Sequence, residues 1–530
     1  MRKLPIGIQS FEDLRNNGYL YIDKTGYIRK LVESGKVYFL SRPRRFGKSL
    51  LLSTMEAYFE GQKELFKGLE IEKYEDSKLE DERWIHYPVL FISMSGGAYK
   101  TQTGLSEKLS YSLHQFEDRY GISHQTSFNL PTEFQYCIEE AYRITGKQVV
   151  ILLDEYDKPL LENMLDNKQQ ENENRDIFKS FFSVLKDEDK FLKFVFITGV
   201  TKFSKVSIFS DLNQLNDISF DPEYAGICGI TEDELTADFS EEIDSLAEQN
   251  GLSRNECISE LRKNYDGYHF SRSPISVYNP FSMLNAFSKH DFGRYWFETG
   301  TPTFLYKKLE QSGRPVQDFS IGVKATEARM SDYRAENVDL IPLYYQSGYL
   351  TITGFDKRFR EYTLAFPNDE VKYGYLESLI PLTNPSYPVP DSGFNAGRMT
   401  KYLENDDSEA FMKMLQSLLA SIPYYEGKAP ENEQAWRNIV YAVFTVLGQY
   451  VRAEVHSSNG RSDCIIENDK YVYIFEFKQD KTADEALSQI EEKGYALPYL
   501  ASKKIIKIGA NFSSKIGTID EWKINQMETP

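Results

Sequence analysis

"SRPRRFGKSL", residues 41–50, follows the apolar run "VYFL" (37–40) and leads into "LLSTMEAYFE" (51–60). Gly47-Lys48-Ser49 matches the close of a phosphate-binding loop, G-x-x-x-x-G-K-[ST], with Arg42 standing where the first glycine belongs. Such a loop needs backbone N–H groups that converge on phosphate, and a turn into a helix N-terminus supplies them. It needs a lysine that reaches the outer phosphates, which is Lys48, and a hydroxyl for Mg²⁺, which is Ser49. Gly47 lets the backbone come close to an anion. The candidate nucleotide contacts are therefore Arg44, Arg45, Phe46, Gly47, Lys48, Ser49 and Leu50. Arg42, Arg44 and Arg45 add positive charge suited to a triphosphate. Taken alone, the match also fits a basic loop that happens to cap a helix.

Two further stretches follow in the order an ATP site requires. In "VVILLDEYD" the apolar residues Val149, Val150, Ile151, Leu152 and Leu153 end in Asp154-Glu155. A carboxylate at the end of a buried strand can hold the Mg²⁺ shell, here Asp154, and its neighbour Glu155 can polarise an attacking water. The plainer reading, acids capping the next helix, suits Asp157 with Pro159 behind it. In "FVFITGVTKFS" a strand exits in Thr198 and Thr201, which could place a hydroxyl near the γ-phosphate. An ordinary polar strand end is the alternative there.

Around these stretches apolar strands alternate with helical patterns: "GYIRKLVESG", "YPVLFISMS", "GLSEKLSYSLHQFEDRYG", "FQYCIEEAYRITG", "NRDIFKSFFSVLKDED". That alternation predicts an α/β fold, a mostly parallel sheet with helices on both faces, over residues 1–230. Residues 231–335 read as a helical lid. Residues 336–385 suit a winged helix, as they would a plain hairpin packed on a helix. "NPSYPVPDSG" (384–393) reads as linker, continuing in a helical stretch over 386–430. Residues 431–530 read as a separate α/β domain.

That last domain holds a second constellation. In "GRSDCIIENDKYVYIFEFKQD", Asp463 opens one strand and Glu476-Phe477-Lys478 lies in the next. Residues two apart on a strand share a face, so Glu476 and Lys478 project together and Phe477 turns into the core. Two carboxylates and a lysine on one face are what metal-assisted phosphodiester cleavage requires. Asp463, Glu476 and the Phe477 carbonyl are the candidate Mg²⁺ or Mn²⁺ ligands, and Lys478 would orient water. Glu454 could complete the acids and Gln489 could position substrate. A solvated hairpin face with a Glu-Lys pair is the alternative.

At this point the chain resembles a known family. "LPIGIQSFEDLRNNGYLYIDKT", "RPRRFGKSL", "LLDEYDKPLL", "FITGVTKFSKVSIFSDLNQLNDIS" and "YDGYHF" with "VYNPFS" resemble the bacterial AAA-ATPase-like proteins. The stretch from "YAVFTVLG" through "YIFEFK" to "IGANFSS" resembles their PD-(D/E)xK nuclease-superfamily domain, with Ser462-Asp463 where "P-D" is usual. The resemblance implies a P-loop ATPase core, a helical lid and a restriction-endonuclease-like tail. It implies phosphate contact by Lys48 and Ser49, Mg²⁺ and water handling by Asp154 and Glu155, and a metal site at Asp463, Glu476 and Lys478. An arginine-rich loop without the first glycine is itself a trait of this family.

The totals limit the rest. A net charge of −18 excludes a general nucleic-acid coat, so contact with DNA or RNA has to be local. The four cysteines, Cys137, Cys228, Cys257 and Cys464, form no C-x-x-C pair, and the six histidines no H-E-x-x-H pair. No apolar run reaches membrane-spanning length, and the expected location is cytoplasmic. The expected activity is ATP hydrolysis coupled to a Mg²⁺-dependent nuclease-like domain acting on nucleic acid. A nucleotide-controlled binding switch of signalling or defence type, and a small-molecule kinase, are the competing readings. An oligomer is compatible with all three.

Overall fold

The computed structural model describes residues 2–164, 167–202, 214–298, 305, 309, 312, 314–331, 339–379, 396–420, 433–448, 452–458, 461–499 and 503–527. The chain divides into two units, Met1–Glu298 with Val323–Asn368, and Thr299–Gly322 with Asp369–Pro530.

In the first unit, β1 (Val37–Ser41), β2 (Val89–Ser93), β3 (Val149–Asp154), β4 (Leu192–Gly199) and β5 (Asn216–Asp217) form one sheet. Every neighbouring pair is parallel, in the order β2-β3-β4-β1-β5. Each residue of β3 is buried, as its unbroken aliphatic run requires of a covered central strand. β4 lies between β1 and β3, so the ends of all three strands meet at one edge. Ser41 is registered with Gly199, and Ser93 with Asp154. Helix α1 (Thr25–Ser34) leads into β1, and α2 (Lys48–Phe59), α3 (Gly104–Tyr120), α4 (Leu130–Thr145) and α5 (Lys168–Asp187) lie between the strands that follow. Local signals set their ends: the Asn129 side chain accepts the Thr132 N–H to start α4, with Pro131 in its first turn.

The helix that leaves the glycine turn carries a testable electrostatic feature. Glu56 of α2 lies 3.7 Å from Arg119, but Arg119 is 2.8 Å from Glu60 and serves that carboxylate first. Burial and the Glu60 charge push the Glu56 carboxyl up to about 7. Because the folded value lies above the unfolded one, this group's contribution is full below pH 4.5 and is lost as pH rises through 7. Glu56→Gln is expected to match wild type near pH 5 and to exceed it by about 2 kcal/mol at pH 8. Urea unfolding of both proteins at the two pH values measures this, and an equal difference at both would contradict it.

Residues 231–298 are mainly helical, with α6 (Glu232–Asp238), α7 (Ser240–Gln249), α8 (Arg254–Tyr265) and α9 (Pro280–Lys289). Capping boxes at Thr231/Glu234 and Ser253/Glu256 start α6 and α8. Leu235, Phe239, Ile243, Leu246, Leu261, Met283 and Phe287 close their common core.

The helical character expected through 335 is interrupted by β6 (Val323–Thr326), where Val323 and Ala325 are buried and Lys324 and Thr326 exposed. That period of two is a strand's, in a segment of only four residues. After β6 come α10 (Glu327–Ser331), α11 (Ile341–Gln346), β7 (Thr351–Asp356) and β8 (Glu361–Ala365). The sheet is antiparallel, with β8 between β6 and β7. The proline-rich segment 384–393 lies outside the described residues.

In the second unit, α12 (Asp369–Leu379), α13 (Ala396–Glu404), α14 (Ser408–Ala420) and α15 (Glu433–Leu447) accompany a sheet ordered β13-β12-β11-β10-β9. The strands are β9 (Arg452–Ser458), β10 (Arg461–Glu467), β11 (Tyr471–Gln479), β12 (Lys504–Ser513) and β13 (Thr518–Met527). β11 and β12 are parallel, joined across α16 (Ala483–Lys493), and the other pairs are antiparallel. α16 sits close on β12 at Gly509, where a Cβ would meet the Ala483 carbonyl at 2.5 Å. Among the described residues no helix is long and apolar enough to cross a membrane.

Candidate functional site

The loop after β1 turns into α2 at Gly47, whose φ of 90° lies in the left-handed region that favours glycine. The N–H groups of the first turn of α2 are thereby presented at the strand ends, where parallel α/β sheets bind ligands. Lys48 is 7% exposed, and its Nζ donates to the carbonyls of Arg42 and Pro43 at 2.8 and 2.9 Å. Burial lowers the pKa of this ammonium, while the charge of Asp154 opposes the shift. Ser49 Oγ donates to Asp154 Oδ2 at 2.6 Å, and Thr198 Oγ1 donates to Asp154 Oδ1 at 2.7 Å. One buried carboxylate thus joins the loop, β3 and β4.

Glu155 follows in the left-handed region, φ 55°, unusual for a side chain with a Cβ. The turn keeps its carboxylate at the surface, where it accepts from Ser95 Oγ at 3.1 Å. Strain of this kind at a strand end is characteristic of functional sites.

The other residues named from the sequence fall into distinct places. Arg44 and Arg45 are exposed, the latter over the Phe281 ring at 5.0 Å. Leu50 lies in the first turn of α2, where its carbonyl accepts from Thr54. Phe46 is buried against Tyr268 and Phe270, with ring centroids 4.8 and 5.6 Å away.

Arg42 does not add charge to the phosphate side. Its guanidinium is buried over the Phe270 ring and donates to the carbonyls of Ser41, Ser219 and Tyr224. A long side chain with five donors can satisfy several loop carbonyls at once, and in this fold that use prevails.

Asp157 also differs from the helix-cap reading. It occupies the cap position of a short helix, but its side chain caps nothing there. Its Oδ2 instead accepts the N–H groups of Val200 and Thr201 and the Thr201 hydroxyl, at 3.0, 2.6 and 2.7 Å. Thr198 and Thr201 therefore serve different acids.

Contacts the sequence did not reveal hold the loop from downstream. Trp296 Nε1 donates to the Arg44 carbonyl at 3.1 Å, and the Gly229 N–H to the Phe46 carbonyl at 3.1 Å. At the exit of β4, the Lys202 N–H donates to Gln346 Oε1 of α11 at 2.8 Å. Nothing local marks these residues, since each partner is distant in the chain.

In the second unit, Glu476 is 0% exposed and its Oε1 lies 2.9 Å from Lys478 Nζ. Lys478 Nζ also donates to Gln489 Oε1 on α16. Phe477 packs against Phe475 and Phe444 on the opposite face. Asp463 is registered directly opposite Glu476, and Glu454 opposite Ile465. The side chains of Asp463 and Glu454 lie outside the described residues. The structure thus brings Glu476, Lys478 and Gln489 together and sets the Asp463 position beside them.

Both places fit the groups they would hold. A helix N-terminus, a buried ammonium and a hydroxyl–carboxylate pair are the donor set for a triphosphate with Mg²⁺. A buried carboxylate on a strand, with a lysine two residues on, suits a hard divalent ion and a polarised water.

Comparison with known proteins agrees with this arrangement. The family described as "Predicted AAA-ATPase" matches residues 5–209, and the "PD-(D/E)XK nuclease superfamily" matches residues 431–522. A protein of Azotobacter chroococcum, described as an uncharacterized protein in the vnfD 5′ region, is 38% identical over 97% of this chain and 96% of its own length. The Orc1 protein of Aeropyrum pernix, solved in complex with DNA, is 11% identical with a TM-score of 0.23 over 68% of this chain and 93% of that one. Cdc6p of Pyrobaculum aerophilum gives 11% and 0.22 over 68% and 89%. Scores this low mark only a loose superposition of parts.

Proposed function

The chain belongs to the predicted AAA-ATPase family and carries a domain of the PD-(D/E)XK nuclease superfamily, and on that premise we propose that it hydrolyses ATP and couples nucleotide state to metal-dependent cleavage of nucleic acid. The observation that carries the reading is the single carboxylate of Asp154 held by Ser49 and Thr198 together. It supports a nucleotide site at the meeting of β1, β3 and β4.

In this reading Lys48 leaves the Arg42 and Pro43 carbonyls for the outer phosphates, with Arg44 and Arg45 adding charge from solvent. Glu155 accepts a proton at its carboxylate from the attacking water. Thr198 senses the γ-phosphate through Asp154, and Thr201 sets the end of β4 through Asp157. Bound Mg²⁺ would neutralise phosphate charge at Ser49 and Asp154, and Mg²⁺ or Mn²⁺ at Asp463, Glu476 and the Phe477 carbonyl would supply a Lewis acid. Lys478, fixed by Gln489, orients water at the second site. The order β6-α10-α11-β7-β8, with β8 central, supports a winged helix that begins at Val323. A cytoplasmic location and an oligomeric state are parts of the same reading.

Glu155→Gln tests the hydrolytic step. Its turnover is expected to fall at least ~100-fold while ATP binding persists. Phosphate release and nucleotide binding measured side by side check this, and unchanged release would contradict it.

A second reading, a nucleotide-controlled switch whose C-terminal domain binds without cutting, is favoured by two features. Glu476 is wholly buried and already engaged by Lys478, and the chain carries a net charge of −18. A wild type that binds ATP tightly without turnover would support that reading.

A further inference from the structure

A separate cluster lies on α3 and the turn that follows it. His114 and Glu117 stand one turn apart on α3, so they share a face. Gly121 ends the helix, and the chain brings His124 back over that face. The two imidazole rings stack with centroids 4.9 Å apart and planes 9° from parallel. Ligand atoms of His114, Glu117 and His124 all lie within 4.8 Å of one another.

Beneath the rings are two buried carboxylates. Glu117 is 0% exposed, and its Oε2 lies 3.6 Å from His124 Nε2. Glu133, on α4, is 7% exposed, and its Oε1 lies 3.0 Å from His114 Nε2. Among the described residues neither oxygen receives a hydrogen bond, and neither acid is paired with a lysine or arginine. The other oxygens have neutral donors, Cys137 Sγ to Glu117 Oε1 at 3.6 Å and Ser110 Oγ to Glu133 Oε2 at 3.3 Å, while His124 Nε2 lies 3.0 Å from exposed Asp118, closer than to Glu117.

Buried carboxylates without cations are costly. Protonating both histidines would answer them only by stacking two like charges. A divalent ion answers both at once and leaves the rings neutral. Two imidazole nitrogens with carboxylate oxygen are the donor set of zinc and its neighbours cobalt and nickel. Zinc ligands in a tetrahedron stand roughly 3.3 Å apart. The His124–Glu117 separation of 3.6 Å is near that already. The rest of the closure falls to the His114 ring, which is half-exposed and can turn. We propose that His114, Glu117 and His124, with Glu133 as a fourth ligand, form a zinc-class metal site on the outer side of the ATPase-like unit.

The test uses the full chain without nucleotide and Zn²⁺ or Co²⁺ as the probe. Wild type is expected to retain one more Zn²⁺ per chain after dialysis than His114→Gln/His124→Gln, and to bind it at least ~100-fold more tightly in competition with a coloured chelator. Wild type loaded with Co²⁺ is expected to show the visible band of a four-coordinate site, a readout that does not depend on the variant folding. Equal zinc content and affinity in the two proteins, or no visible band in wild type, would overturn the site. A variant that is merely less stable, with no zinc taken up by wild type, would leave two exposed histidines over buried carboxylates and no metal.

Discussion

Lys48→Ala is expected to abolish ATP turnover, by at least ~100-fold in phosphate release. The reason lies in what the lysine does at rest. Its ammonium is buried and bonded to the Arg42 and Pro43 carbonyls, so it closes the loop on itself. Transferring those bonds to phosphate costs little reorganisation, because the cation is already desolvated at the right end of the sheet. Alanine removes the charge and also leaves two loop carbonyls without their donor, a loss of about 1–3 kcal/mol. The variant should therefore melt earlier and also fail to turn over ATP. A nucleotide-binding titration separates the two effects: weakened binding at a temperature where the variant is folded assigns the loss to phosphate contact. Full turnover in a folded Lys48→Ala protein would remove the loop from the site.

The second large effect is expected at the far end of the chain. Glu476→Gln should reduce Mg²⁺- or Mn²⁺-dependent cleavage of DNA or RNA at least ~100-fold. The substitution is nearly isosteric, and the amide oxygen can still accept from Lys478, so the core packing of Phe475 and Phe477 is kept. What is lost is the negative charge a divalent ion requires. ATP turnover should persist in this variant, which distinguishes damage to the second site from damage to the first. A Glu476→Gln protein that cuts as well as wild type would show that any nuclease activity uses other residues.

The parts of both sites legible in the sequence are those made by neighbours in the chain. Gly47-Lys48-Ser49 is a local turn, and Val149–Leu153 is an apolar run that ends in the acids Asp154-Glu155. Glu476 and Lys478 share a strand face by simple alternation. The rest depends on partners far apart. Asp157 resembles a helix cap until the fold sets Thr201 beside it, 44 residues on. Arg42 resembles a phosphate ligand until Phe270 and three carbonyls surround it. The insertion of β4 between β1 and β3 leaves no mark in either strand. β5 has two residues and β6 four, too short for a periodic signal. β13, "TIDEWKINQM", mixes charged and apolar residues and pairs on one side only, as an edge strand does. His114 and His124 were invisible as a pair because one lies on a helix and the other beyond its end.

The measurement that bears most directly on the coupling of the two sites is cleavage of labelled DNA and RNA by wild type in Mg²⁺, with and without ATP, beside Lys48→Ala. The expected result is cleavage that depends on ATP and disappears in Lys48→Ala, although its Glu476, Lys478 and Asp463 are intact. Absence of any cleavage by wild type with ATP bound, or equal cleavage by Lys48→Ala, would contradict an ATP-controlled nuclease.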